Sequence, residues 1–443
     1  MTSNAGLGVS PNKFRSVDYI KITIFGFALA ALWGSLHTII LQVRLLDFVA
    51  ESQKNTYLGL LTFTGLMLAM IVQPIAGAIS DRSSFGWGRR RPYILLGIIP
   101  AILLLPGIGL AGGYITIFVI YCLLQVSCNT AMGPYQGFIP DLVPGGKRGL
   151  ASGVKTLLEI GGGVALIYPI ALFMDSYSAG QGEFWLWLSL GMLAVVLLGT
   201  MVATVVTVKE RPGAGGSQLP LLPTLYKSFK VSIKTHPNFV RFLISRLLRF
   251  IKKHPDFVWF LVSRLFILMA FTTLQTFALY FLKDVVGVAD PAAATARFSI
   301  VVVAGMLVLV YPAGRLSDKI GRRPIAISSG ILGALGVALI FLFQHSYMAI
   351  IVCGGLVGIS FGAFMSANWA LAIDLVPKGE EARYLGLTNI ATAGGAALAR
   401  LIGPLIDFFN ASSPNLGYSV MLLACCIYFI VGSALLLKVR GRR

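Results

Sequence analysis

The amino-acid sequence predicts an all-α membrane protein whose twelve transmembrane helices form two six-helix halves. Three observations carry that expectation. The chain of 443 residues is 56% hydrophobic and only 12% charged, with a mean hydropathy of +0.82, so it has too few charges to cover a soluble globule of that size. Its apolar residues gather into twelve runs near the roughly 20 residues that cross a bilayer. A charged hairpin between two such runs occurs once in each half, at Gly77 to Pro92 and at Gly314 to Pro324.

In the first half the runs lie near Tyr19 to Leu41, Tyr57 to Ser80, Tyr93 to Leu110, Tyr114 to Ile139, Leu150 to Met174 and Phe184 to Val208. In the second they lie near Phe257 to Leu282, Phe298 to Leu316, Ile325 to Phe343, Tyr347 to Ile373, Tyr384 to Phe408 and Tyr418 to Leu437. The expected organisation is an N-terminal tail (1–18), a first bundle (19–208), a connector (209–256), a second bundle (257–438) and a basic tail (439–443). The N-terminal stretch has no short apolar core followed by a cleavage site, so no removable signal peptide is expected. The connector turns basic and amphipathic, and its segment from His236 recurs from His254. The first copy reads either as an interfacial helix or as a duplication without a role.

Lys and Arg set the orientation. Arg82, Arg89, Arg90, Arg91, Lys147, Arg148, Lys319, Arg322, Arg323, Lys378 and Arg383 follow the even-numbered spans, while the opposite loops hold only Arg44, Lys54 and Lys283. The basic loops and both termini are therefore expected in the cytoplasm. The net charge of +19 lies between spans and at the chain ends, so no nucleic-acid partner is expected. All five cysteines lie inside apolar runs and read as packing residues; no metal is expected.

The halves match in order. Gly77, Asp81, Arg82, Arg89, Arg90 and Arg91 correspond to Gly314, Asp318, Lys319, Arg322 and Arg323. Asp141 in Pro-Asp-Leu-Val-Pro corresponds to Asp374 in Ile-Asp-Leu-Val-Pro, followed by Arg148 and Arg383, then by glycine clusters at 161–163 and 394–395. The glycine permits close helix contact, and the acid can accept hydrogen bonds from a helix N-terminus or pair with arginine. Topology alone would explain the arginines but not the repeated glycine and acid, so the hairpins read as a cytoplasmic gate. Asp81 is expected near Arg383 when that side is closed.

The double hairpin and twelve-helix plan resemble the major facilitator superfamily. Within it, Met70-Ile71-Val72-Gln73-Pro74 leading to Ser80-Asp81-Arg82 and Gly88 to Pro92 resembles the sucrose transporters and the wider glycoside-pentoside-hexuronide group. Asn129, Gly133-Pro134 and Asp141-Leu142 support this. The superfamily resemblance covers the whole chain, the closer one mainly the first five helices. It implies alternating access about a midplane site, a monomer in the plasma membrane, no enzymatic activity and no cofactor. The implied coupling ion is a proton, with sodium as the alternative. The family's fourth-helix aspartate and arginine are replaced here by Gln125 and Gln136, which places proton coupling through that helix in doubt.

Another carboxylate is available, because Glu159 lies 11 residues beyond Arg148, about 16 Å into the fifth helix. Glu159, its neighbour Lys155 one turn away, and His37 are the proton-coupling candidates. Lys155 and Glu159 read equally as a structural ion pair, and His37 as a packing residue. Trp33, Tyr57, Gln73, Gln125, Asn129, Tyr135, Gln136, Arg264 and Arg400 offer stacking and hydrogen bonds for a sugar or glycoside, although Arg264 reads equally as snorkelling toward a membrane face. The expected function is proton-coupled sugar symport. The alternatives are an exporter of drugs or metabolites, and a receptor or scaffold, against which the costly intramembrane charges speak. Gly107-x-Gly109-x-x-Gly112 ends a membrane helix rather than joining strand to helix, so it is no dinucleotide site.

Overall fold

A computed structural model describes residues 15–83, 85–210, 253–376 and 381–440, with the side chains of 381–383 and 385 outside that description. The repeated connector segment from His236 and the Arg383 side chain therefore lie outside the described residues. Twelve helices are long and apolar enough to span a membrane, and no strand occurs among the described residues. They are α1 (Ser16–Leu46), α2 (Glu51–Asp81), α3 (Arg91–Leu110), α4 (Tyr114–Leu142), α5 (Arg148–Ser178) and α6 (Phe184–Thr207), then α7 (Pro255–Val286), α8 (Pro291–Ile320), α9 (Arg322–Leu342), α10 (Tyr347–Leu375), α11 (Gly386–Ser412) and α12 (Leu416–Leu436). Several outrun their apolar runs because polar residues continue the helix past the hydrocarbon. In α8, Pro291 sets the first turn seven residues before the apolar run at Phe298.

Two interruptions have one cause. Pro169 and Pro404 lack the N–H that would bond the carbonyls of Ala165 and Arg400, so α5 breaks after Ala165 and α11 after Arg400. Short π-turns occur at Leu36–Ile40 within α1 and at Leu282–Val286 at the end of α7.

Within the first half α1 packs on α5 and α2 on α4; in the second α7 packs on α11 and α8 on α10. The halves meet along α2 with α11 and α5 with α8. Here glycine is required: a Cβ on Gly59 would collide with the Arg400 carbonyl freed by Pro404, and one on Gly403 with the Asn55 carbonyl. The expected close approach in the fifth helix is made by Gly162 against the Phe27 backbone, whereas Gly161 faces open space.

Candidate functional site: a buried polar cluster between a sealed end and an arginine end

The centre of the first half holds a chain of polar side chains. Tyr121, Gln125 and Asn129 repeat every four residues on α4 and so share one face. Asn129 donates to the Gln125 side-chain oxygen (3.0 Å), Gln125 donates to the Tyr121 hydroxyl (2.8 Å), and His37 Nε2 lies 2.8 Å from that hydroxyl. The Tyr121 hydroxyl, which accepts from Gln125, keeps its own proton and a second lone pair for this contact, so the His37 tautomer sets which of the two donates. Trp33 stacks on His37 at 5.0 Å. His37 sits on the α1 π-turn, an irregularity that frequently marks functional positions. Arg400 of α11 is close enough to interact electrostatically with His37 and Tyr121, and its Nε is buried without an acceptor.

One turn toward the arginine hairpins, Lys155 and Glu159 pair at 3.2 Å, half-buried. Lys155 lies over the Tyr135 ring, and Tyr135 donates to the Thr23 carbonyl (3.0 Å). Glu159 Oε1 is buried without a well-formed hydrogen bond, so this carboxylate rests on the ion pair alone.

Other expected residues fall elsewhere. Gln136 is exposed at the last turn of its helix segment, away from the cluster. Gln73 touches Gly133 through its backbone carbonyl, and Tyr57 packs on Tyr114. Arg264 does not snorkel: it is 2% exposed, donates to Asn368 Oδ1 and to Thr392 (2.9 Å), and lies over Trp369. Those partners lie on α10 and α11 of its own half, and a buried guanidinium with hydrogen-bond acceptors has no need to reach a headgroup.

At the hairpin end, Arg90 is the hub. Its guanidinium binds Asp141 (2.5 Å), Asp81 (2.7 Å) and Ser80 (3.2 Å), while Arg89 takes the other Asp141 oxygen (2.7 Å). The Asp141 carboxylate holds the Arg89 guanidinium above its already high pKa. Glu210 accepts from the backbone N–H groups of Arg90 and Arg91, and Arg148 bonds the carbonyls of Pro140 and Val143. In the second half Arg322 binds Asp374 (2.5 Å) and lies 3.8 Å from Asp318, while Arg323 binds the end of α12. Lys319 is exposed. Asp81 pairs with Arg90 within its own half, and its carboxyl side chain is 55% exposed.

The opposite end joins the halves. Lys54 of α2 binds Asp284 of α7 (2.6 Å), which also accepts from Tyr418 (2.6 Å), and Lys283 binds Glu51 (2.6 Å). Asp407 of α11 accepts from the Thr56 backbone N–H (2.6 Å) and the Asn55 amide (2.8 Å), and Asp175 of α5 accepts from the N–H groups of Ala292 (2.9 Å) and Ala293 (2.7 Å). The Tyr280 hydroxyl donates to the Gln42 carbonyl (2.8 Å). Both described inter-half ion pairs, Lys54–Asp284 and Lys283–Glu51, lie here.

The profile of the MFS/sugar transport protein family matches residues 23–384. The chain belongs to that family. Membership in this facilitator family places it among transport proteins rather than enzymes. It is 28% identical over 118 residues to the minor myo-inositol transporter IolF of Bacillus subtilis, a match covering 27% of each chain. It is 34% identical over 100 residues to the sucrose transport protein SUT1 of Oryza sativa subsp. japonica, covering 18% of this chain and 19% of that one. The facilitator chain thus aligns with about a quarter or less of these relatives' length. The crystal structure of a D-xylose-proton symporter superposes with a TM-score of 0.67 at 17% identity, covering 96% of this chain and 98% of that one, which shows the shared fold.

Sequence reasoning missed Tyr121, although its four-residue spacing from Gln125 was a usable signal. It also missed the facilitator's sealed end. There the signal was Lys54 and Lys283 standing as exceptions on the Lys/Arg-poor side, with Asp284 beside Lys283.

Proposed function

We propose that this protein is a secondary transporter working by alternating access, carrying a sugar or glycoside in symport with protons. The observation that carries this reading is the buried set Trp33, His37, Tyr121, Gln125 and Asn129 beside Arg400, lying where the two halves meet. An aromatic face with a row of amide and hydroxyl groups suits a polyhydroxylated ring. The family and the sugar-transporting relatives support the same class. Arg90, Asp141 and their second-half counterparts lie in the cytoplasm in this reading, both termini face the cytoplasm, and a monomer works in the plasma membrane, open inward and sealed outward. Glu159 carries the proton, paired with Lys155.

Uptake of labelled disaccharides into proteoliposomes, with and without an imposed pH gradient, tests it. Gradient-dependent accumulation is expected; export of a preloaded drug without uptake of any sugar would replace this reading. Glu159→Gln is expected to abolish accumulation while sparing exchange, and full accumulation by that variant would remove Glu159 from the coupling path.

A further inference from the structure

The junction of α1, α4 and α5 recurs in the second half as that of α7, α10 and α11, and two glycines fix the register. A Cβ on Gly162 would meet the Phe27 backbone, and one on Gly395 the Leu265 backbone. One residue before those backbones stand Gly26 and Arg264; three before the glycines stand Glu159 and Thr392. Tyr135 and Asn368 likewise stand six residues before the repeated Asp141 and Asp374. Each set of three positions comes together: a Cβ on Gly26 would meet Tyr135 and Glu159, and Arg264 donates to Asn368 Oδ1 and Thr392 Oγ1. One half thus holds an acid at this junction and the other a base. Glu159 has Lys155 at 3.2 Å, whereas no carboxylate lies within ion-pairing distance of Arg264 among the described residues. Glu381, the nearer of the two acids whose side chains lie outside the description, precedes Thr392 by 11 residues, about 16 Å of helix, which is beyond reach of the guanidinium.

We propose that Arg264 and Asn368 form a binding site for the carboxylate of a monoanionic ligand. Of the five N–H groups of a guanidinium, Arg264 uses two, both on neutral oxygens, and the amide nitrogen of the fully buried Asn368 has no acceptor. A buried, unpaired guanidinium is costly to keep, and here it stands beside an unfilled amide donor, so the site offers donors and lacks an acceptor. The planar fork of arginine matches a carboxylate with two parallel N–H···O bonds, and Asn368 Nδ2 supplies a third donor. One positive charge balances one carboxylate. A phosphate group, with about 1.5 to 2 negative charges at neutral pH, would exceed it, and Arg400 stands eight residues beyond Thr392 on α11, about 12 Å away along the helix. The exposed Trp369 ring, 5.7 Å from the guanidinium carbon, opens the site to a ligand and gives its apolar part an aromatic face.

This inference rests on the transporter reading and deepens it: the carboxylate belongs to the carried sugar or to a small organic acid carried with it. It is tested on the full chain in lipid nanodiscs, without a gradient, by tryptophan fluorescence during titration with sodium gluconate, sodium lactate, glucose or inorganic phosphate at one ionic strength. Gluconate is expected to bind about tenfold or more tightly than glucose, and Arg264→Gln to remove that difference, the worth of a charge-assisted hydrogen bond. Lactate binding like gluconate assigns the site to the carboxylate alone; gluconate binding without lactate assigns it to an acidic sugar. Asn368→Asp sets a carboxylate beside the guanidinium, so it is expected to lose gluconate binding and, without ligand, to unfold at a higher temperature than the unmodified protein. Neither carboxylate binding, phosphate binding more tightly than both, or an Asn368→Asp variant that still binds gluconate overturns the proposal. Should Arg264→Gln fail to fold, Asn368→Asp decides. Gluconate binding without uptake of any sugar in proteoliposomes would sink the symport reading and leave this site standing; sugar uptake without carboxylate binding would do the reverse.

Discussion

The two ends of the molecule use similar charges in opposite ways. At the hairpin end, acids and arginines pair inside each half, as Arg90 does with Asp81 and Asp141 and Arg322 with Asp374. At the other end, Lys54–Asp284, Lys283–Glu51, Asp407 and Asp175 all bridge the halves. Pairs within a half stiffen it and move with it, whereas under the proposed alternating access pairs across the seam have to break. The difference teaches which charges serve as framework and which as switch.

The framework side has the largest expected effect. Arg90→Ala would remove a guanidinium only 7% exposed that joins Asp81 to Asp141, leaving Asp141 with Arg89 alone, and a loss of about 3 kcal/mol is expected, read as a lowered midpoint of thermal unfolding in detergent. An unchanged midpoint would mean that the hairpin pairs are not framework. On the switch side, Lys54→Met strips Asp284 of its lysine at a side chain only 3% exposed. About 2 kcal/mol lost from the sealed form alone corresponds to about a 30-fold population shift, read as a longer distance between spin labels across that end. A shift in unfolding midpoint with no change in that distance would erase the contrast between the ends. Arg322→Ala should cost less than about 1 kcal/mol, because its site is about a third exposed and solvent screens it. Equal losses for Arg90→Ala and Arg322→Ala would show that the two hairpins carry equal weight.

Much of this was legible in the sequence. Hydropathy located all twelve spans, and the repeated Gly-x-x-x-Asp motif located both hairpins. The spacing of Lys155 and Glu159 predicted their pairing, because one helical turn brings them together whatever the rest of the chain does. Arg264 resisted because its acceptors, Asn368 and Thr392, lie more than a hundred residues away. Gln136 shows the reverse: a family position suggested a site residue, and the end of its helix segment left it exposed.

By itself, then, the sequence determined what rests on short-range physics: transmembrane length, the duplication, and side chains sharing a helix face. Only the tertiary structure decided that Asp407 caps α2 and that Asp175 caps α8. Those contacts depend on how the two halves are placed against each other. That placement is set by many weak contacts across the seam, and no local pattern records their sum.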